Sequence, residues 1–212
     1  VGTHGELLQR IDDPRAPEGM VALPDSRLAV AEQGPNRLVI FQPPSSSVSP
    51  LVALPPRGRA DGVDGLGFDA ARSRILIPDS PHGTLLGMPA AGGDLTLLAS
   101  GLGRDVAATL GPDGNLWVAV EGPHGLLRVP ATGGTAQPVG DLSQLDDIVT
   151  GSGLLYATQL VGGRVVAIDP GTGAHRTLVT GIGSAQGLAL LPDGRLANAD
   201  SRSGAIVTTR SC

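Results

Sequence analysis

The chain has 212 residues and a formal net charge of −5, with 15 lysines and arginines against 20 aspartates and glutamates. This acidic balance argues against a nucleic-acid partner, which requires a basic surface, and no apolar run approaches the roughly 18 residues of a membrane span. The 32 glycines and 18 prolines indicate many turns, and the length fits one sizeable domain over residues 1–212.

Five similar units follow one another along the chain. Each has a short apolar run, a turn, a second run ending in a polar residue, a loop that in most units contains glycine, and a third run; the first unit reads PEGMVALPDSRLAVAEQGPNRLVIF. The units cover residues 17–41, 63–88, 104–129, 146–168 and 185–209. A fourth run follows most of them, such as DLTLLAS from Asp94 and HRTLVTG from His175. Short apolar runs between glycine and proline turns predict β-strands rather than helices.

The repeat length predicts the fold class. The residues that open the units lie 39 to 46 positions apart, and a four-stranded unit of about 40 residues is typical of a β-propeller blade. The sequence therefore predicts an all-β, five-bladed propeller with four-stranded blades. The last unit stops after its third run, and the run Glu6 to Asp12 precedes the first unit. We expect this N-terminal strand to complete the C-terminal blade and close the ring. A six-bladed or truncated propeller is the alternative.

An acidic residue opens four of the five units. In a propeller, the start of the first strand and the end of the second lie on one face, so the opening residues converge on one mouth of the channel. They are Glu18, Asp64, Asp105, Asp147 and, in the fifth unit, Gln186. Converging carboxylates require compensation by a bound cation, by shared protons or by Arg104, the neighbour of Asp105. An all-oxygen set favours a hard cation, so we predict Ca²⁺, or Mg²⁺, bound by Glu18, Asp64, Asp105 and Asp147.

The units resemble those of the NHL and SMP-30/gluconolactonase group of propellers, most of which have six blades. The resemblance rests on the EGM, DGL and QGL openings, on the PDG turns and on the acid that ends the second strand. It implies a Ca²⁺-like ion at the mouth, with Glu18, Asp64 and Asp147 as the best matches. It also implies that the polar residues ending the second strands bond backbone in the adjoining loop; these are Glu32, Asp79, Glu121 and Asp200. The aspartates of the Pro-Asp turns, Asp25, Asp113 and Asp193, are interpreted as turn formers.

Two histidines add candidates for acid–base chemistry. His82 in SPHG and His124 in GPHG occupy equivalent loops of adjacent units, on the face that carries the acids. Either could act as a general acid or base near neutral pH, and Asp147 is the third candidate catalytic residue. The alternative is a loop that the repeat copied without a catalytic role.

The leading functional hypothesis is a metal-dependent hydrolase of the lactone or ester type, in which the ion polarises the ester carbonyl. One alternative is a non-enzymatic NHL-like propeller that binds a ligand or protein. Further alternatives are a lyase of the streptogramin-inactivating type, with His82 or His124 as base, and a five-bladed glycosidase. We expect a small-molecule partner, no nucleic acid, no membrane and a monomer. We expect a secreted or periplasmic protein from which a signal peptide has been removed.

Overall fold

The computed structural model describes residues 10–12, 14–58 and 61–211. Within these residues the chain forms 19 β-strands and no helix, and thus no helix that could cross a membrane. Blade one contains β1 (Pro17–Ala22), β2 (Leu28–Glu32), β3 (Arg37–Phe41) and β4 (Val48–Ala53). Blade two contains β5 (Gly67–Asp69), β6 (Arg74–Asp79), β7 (Thr84–Pro89) and β8 (Thr96–Ser100). Blade three contains β9 (Asp105–Leu110), β10 (Leu116–Val120), β11 (Leu126–Val129) and β12 (Gln137–Pro138).

The remaining strands form two more blades. Blade four contains β13 (Leu145–Gly151), β14 (Leu154–Gln159), β15 (Arg164–Ile168) and β16 (His175–Val179), and blade five contains β17 (Ala185–Leu190), β18 (Arg195–Asp200) and β19 (Ala205–Arg210). Every blade is an antiparallel meander in which consecutive strands pair. The five sheets are arranged around one axis, which confirms the predicted all-β, five-bladed propeller. Four blades have four strands, and blade five has three within the described residues.

The strand predicted to complete blade five is Glu6 to Asp12. Its first four residues lie outside the described part of the chain, and Arg10 to Asp12 belong to none of the strands above. Closure of the ring by the N-terminal strand therefore stays a prediction.

Apolar side chains fill the spaces between neighbouring blades. Leu38 and Ile75 belong to a cluster between blades one and two, and Leu85 and Leu116 to a cluster between blades two and three. Similar clusters join blade three to four and blade four to five. The largest side chains of the chain, Trp117 and Tyr156, are fully buried in these clusters. Burying one large apolar side chain contributes about 1.5 to 3 kcal/mol, so this packing fixes where each inner strand meets the axis.

Glycines allow the inner strands to approach closely near the axis. A Cβ atom placed on Gly19 would lie 2.6 Å from the carbonyl oxygen of Asp64, and one on Gly65 would lie 2.7 Å from that of Val106. Both distances are shorter than real Cβ contacts, so only glycine fits at these positions. The mouth of the channel is therefore narrow between blades one, two and three.

Aspartates organise the turns on the opposite face. Asp25 and Asp193 each accept hydrogen bonds from the backbone and the side chain of an arginine two residues later. Asp113 bonds the backbone of Asn115 and also accepts a bond of 2.9 Å from Nε1 of Trp117. These bonds confirm the interpretation of the three aspartates as turn formers.

Candidate functional site

The register of the innermost strands places polar side chains from several blades at the mouth of the channel. Glu18, Asp146 and Gln186 are each the second residue of the innermost strand of their blade, and each lies within a β-bulge. Asp64 precedes the short inner strand of blade two. These four residues line one cavity of about 170 Å³, together with Asp147 and three glycines. Below it, the inner strands line a further cavity of about 250 Å³ along the channel.

Asp146 was not among the predicted site residues. The sequence offers two consecutive acids in blade four, and the prediction took the second one. In the structure Leu145 pairs with Gln159, as Pro17 pairs with Glu32 in blade one, so Asp146 is the equivalent of Glu18. The sequence carries no clear signal for this choice, because the β-bulge after Leu145 interrupts the alternation of side chains along the strand.

Arg104 is the cation at the centre of these acids. Its Nε donates a hydrogen bond of 2.6 Å to Glu121, and its two terminal nitrogens lie 3.3 Å from an oxygen of Asp64 and 3.4 Å from one of Asp61. Asp146 completes the group, because, beyond the effect of burial, the charges of Asp64 and Glu121 act on its carboxyl and help to raise its pKa. We call the residues Glu18, Asp61, Asp64, Arg104, Glu121 and Asp146 the mouth cluster.

One arginine does not balance five acids, and the pKa values reflect this. Burial, followed by the charges of neighbouring carboxylates, raises the pKa of Asp146 to about 8. Burial raises the pKa of Asp64 to about 7, although Arg104 acts in the opposite direction. Burial and the charge of Asp61 also raise the pKa of Glu18. The mouth cluster therefore holds protons at neutral pH, in groups able to give them up or take them back.

The carboxylate of Asp147 is engaged with backbone. It accepts hydrogen bonds of 2.7 Å from the amide of Ile148 and 2.6 Å from that of Leu188 in blade five. Burial raises the pKa of Asp147 to about 6, and these two bonds lower it. Asp147 thus lines the cavity but also ties blade four to blade five.

Asp105 lies apart from the other predicted metal ligands. Its side chain is fully buried, and neither carboxyl oxygen has a hydrogen-bond partner among the described residues. Burial and the charge of Asp79 raise its pKa to about 7. It does not line the cavity that holds Glu18 and Asp64, because Arg104, the preceding residue, is the one that reaches the mouth.

The two candidate histidines lie in loops on the mouth face but not in the lining of this cavity. His82 is 36% exposed, and its Nδ1 lies 2.9 Å from Oδ2 of the buried Asp79. His124 is exposed and lines a second cavity of about 380 Å³, to which Arg104 and Glu121 also contribute. The structure therefore brings His124 close to the mouth cluster and holds His82 against a carboxylate of its own blade.

Two of the four residues that end the second strands accept backbone hydrogen bonds, as expected. Glu32 accepts a bond of 2.6 Å from the amide of Arg15, and Asp200 accepts bonds from the amides of Gly183 and Ser184. The other two bond side chains: Asp79 bonds the ring of His82, and Glu121 bonds the guanidinium of Arg104. This makes Glu121 a member of the mouth rather than only a support for a loop.

No protein-family model and no curated protein matches this sequence. Several solved structures do have a similar fold. A catalytically inactive virginiamycin B lyase from Staphylococcus aureus with quinupristin has a TM-score of 0.73 at 15% identity, covering 95% of this chain and 69% of that chain. A streptogramin B lyase has a TM-score of 0.71 at 16% identity, covering 94% and 70%. A chain of a nidogen/laminin complex has a TM-score of 0.78 at 14% identity, covering 92% and 75%.

This chain is a β-propeller. The similarities extend over nearly all of the described blades, and at these identities they concern the fold alone. The resemblance to the NHL and SMP-30/gluconolactonase group stays a prediction.

Proposed function

We propose that the mouth cluster binds a small molecule and hydrolyses an ester or lactone bond in it by acid–base catalysis. The observation that carries the proposal is the pair Asp64 and Asp146. Both carboxyls line one small cavity, and burial raises the pKa of the first to about 7 and of the second to about 8. Catalytic groups work best when their pKa lies near the operating pH.

In the proposed reaction, Asp64 is the general base. Its carboxylate removes a proton from a water molecule, whose oxygen attacks the ester carbonyl. Asp146 is the general acid, because its higher pKa keeps it protonated at neutral pH, and it donates its proton to the departing alkoxide oxygen. The products are a carboxylic acid and an alcohol, or one hydroxy acid from a lactone. Exchange of protons with solvent returns both carboxyls to their starting states.

Arg104 positions these groups. Its guanidinium contacts Glu121 through Nε and Asp64 through a terminal nitrogen, which holds these two acids in fixed positions at the mouth. Its positive charge also lowers the pKa of Asp64 relative to burial alone. Arg104 thereby supports the difference between base and acid on which the reaction depends.

A divalent cation at the mouth was the expected cofactor, and its fit can be judged from the donors. Arg104 already contacts Asp64, and backbone amides already bond Asp147. Within the described ranges, no group of three or more His, Cys, Asp or Glu is placed so that it could hold a metal ion. In this arrangement the residues do not form a preformed metal centre, and the proposed reaction uses no metal ion. Binding of Ca²⁺ stays a prediction that can be tested.

The test uses p-nitrophenyl acetate and γ-butyrolactone as probes over pH 5 to 9. We expect kcat/KM to rise through pH 7 for both probes as Asp64 ionises and, for γ-butyrolactone, to fall above pH 8 as Asp146 loses its proton. With γ-butyrolactone, whose alkoxide leaving group requires a proton, Asp64→Asn and Asp146→Asn should each lower kcat by about a hundredfold or more; with p-nitrophenyl acetate, whose phenolate leaves without one, only Asp64→Asn should do so. Asp193→Asn, on a turn of the opposite face, is the matched control and should leave activity unchanged. Equal activity in all four proteins would overturn the assignment.

A lyase is the second candidate, favoured by one contact. His82 is held through Nδ1 by buried Asp79, which leaves its other ring nitrogen available as a base, and lyases are among the similar folds. Quinupristin is the probe for this candidate. Elimination breaks a bond without adding water, so product formed in ¹⁸O-labelled water would carry no label, whereas hydrolysis would introduce one. If the protein is a lyase, His82→Ala should abolish turnover and leave the melting temperature unchanged. If neither reaction occurs, the non-enzymatic binding propeller becomes the leading interpretation.

A further inference from the structure

The cavity beside His124 differs in character from the acidic mouth. It has a volume of about 380 Å³, within the range of about 300 to 1,000 Å³ that is typical of small-molecule sites. Its floor consists of Leu102, Val120 and Leu127, which are buried in the apolar cluster between blades two and three. Pro123, Ala136 and Pro138 complete the apolar walls.

The outer strand of blade three lies beside this space and is short. This strand, β12, has only two residues, whereas the outer strands of blades one, two and four have five or six. Leu127 on β11 pairs with Pro138 at the end of this short strand. Beyond this strand the amide of Val139 donates a hydrogen bond to the carbonyl of Leu126, so the chain still follows β11 toward the mouth, and Pro138 forms part of the cavity wall.

The cavity adjoins the proposed reaction site. Arg104 and Glu121 line it, and the same two side chains bond each other and contact the mouth cluster. Arg104 reaches Asp64 at 3.3 Å, and Asp64 lines the mouth cavity. One guanidinium thus separates an apolar cavity from the carboxyls that we assign to the chemistry.

The charges select the kind of group that this cavity accepts. Arg104 is already neutralised by Glu121, Asp64 and Asp61, so no unpaired cation attracts an anionic group. The remaining lining is apolar apart from the exposed His124. We propose that the cavity is a substrate subsite that takes an uncharged, apolar acyl group, so that the substrate is an ester or lactone with a hydrophobic acyl chain. This inference rests on the proposed function for its reaction but not for its binding.

Binding can be tested without any reaction. The probe is N-phenyl-1-naphthylamine, an uncharged dye whose fluorescence rises in apolar sites. Gly122→Phe should fill the cavity, since a Cβ at Gly122 meets only Val120, at 3.5 Å. We expect wild type to bind the dye and this variant to bind it about tenfold more weakly or worse. Thr132→Phe, on an exposed turn outside the lining, is the matched control.

Melting temperatures establish that the variants are folded. Should Gly122→Phe fail to fold, Ala136→Leu fills the same cavity from the opposite wall. Undiminished dye binding in a folded filling variant, or no dye binding by wild type, would overturn the subsite.

Kinetics test the link to the reaction. With p-nitrophenyl acetate, butyrate and hexanoate, kcat/KM of wild type should rise by up to about fourfold for each methylene that is buried. Gly122→Phe should abolish this rise, so that its kcat/KM is similar for the three esters. Dye binding that is lost in the filling variant, with no hydrolysis of any ester, would support the subsite and refute the proposed reaction. A chain-length series that is equally steep in Gly122→Phe would refute the subsite alone.

Discussion

Replacing Asp105 by asparagine should make the protein more stable at neutral and alkaline pH. The side chain is fully buried, and neither carboxyl oxygen has a partner among the described residues. Asparagine has nearly the same shape but cannot ionise. The substitution therefore removes a buried charge without creating a cavity.

The size of the effect follows from the pKa. Asp105 has a pKa of about 7 in the folded chain, raised by burial and by the charge of Asp79 from the ordinary value of 3.8. The folded state therefore holds a proton between pH 4 and pH 7 that the unfolded state releases, so stability falls as pH rises through this window. At about 1.4 kcal/mol for each pH unit, the ionised group costs about 4 kcal/mol above pH 7 and nothing below pH 4.

Urea unfolding of wild type and Asp105→Asn at pH 4.5, 5.5, 6.5 and 7.5 checks this. The free energy of unfolding of the variant minus that of wild type should increase by about 1.4 kcal/mol for each pH unit and level off near pH 7. The buried amide adds an offset that does not depend on pH. Asp193→Asn is the control, because its pKa is lowered and its contribution changes only below about pH 4. A pH-independent difference for Asp105→Asn would refute the reasoning.

Three further predictions concern Arg104 and the turns. Arg104→Met should lower the free energy of unfolding by about 2 kcal/mol at pH 8 and by less at pH 5, where its partner Asp64, whose pKa is raised to about 7, holds a proton; urea titrations at the two pH values compare them. In calorimetric titrations, Ca²⁺ should bind Arg104→Met more tightly than wild type, because the guanidinium competes with the cation for Asp64; equal binding would contradict this. Asp113→Ala should cost about 1 to 3 kcal/mol in urea unfolding, since it leaves Nε1 of the buried Trp117 unpaired, whereas Asp193→Ala on the equivalent exposed turn should cost less; equal losses would contradict the role of Trp117.

The repeat allowed the architecture to be predicted from the sequence. Five units of similar length predicted five blades, and the identity of the strands followed from short apolar runs between turns. The same period placed Glu18 and Asp64 at one mouth, because equivalent positions of successive blades are carried to the same end of the axis.

Side-chain direction could not be obtained in the same way. Asp146 and Asp147 are adjacent, and a β-bulge after Leu145 decides which of them faces the mouth cluster. Asp105 occupies an opening position but turns into the space between blades two and three. Whether an acid or its neighbour reaches the mouth depends on the packing around each strand, which a one-dimensional repeat does not contain.

For a related reason, the sequence did not decide what compensates the charge of the converging carboxylates. A cation, shared protons and Arg104 all satisfy the requirement that converging carboxylates be compensated. The structure contains the arginine contacts and carboxyls whose raised pKa values keep them protonated. Sequence spacing does not encode the reach of the Arg104 side chain across to Asp64 and Glu121, and binding of a cation at the mouth stays a prediction.

The glycines at the narrow end of the channel also bear on how many blades this sequence can form. Inner strands that touch backbone to backbone suit a ring of small circumference. In a ring enlarged by another blade, the same strands would stand farther apart, and Gly19 and Gly65 would leave gaps where larger side chains are needed. A design with an added blade would therefore require larger side chains in place of these two glycines. A design with five blades would keep both glycines.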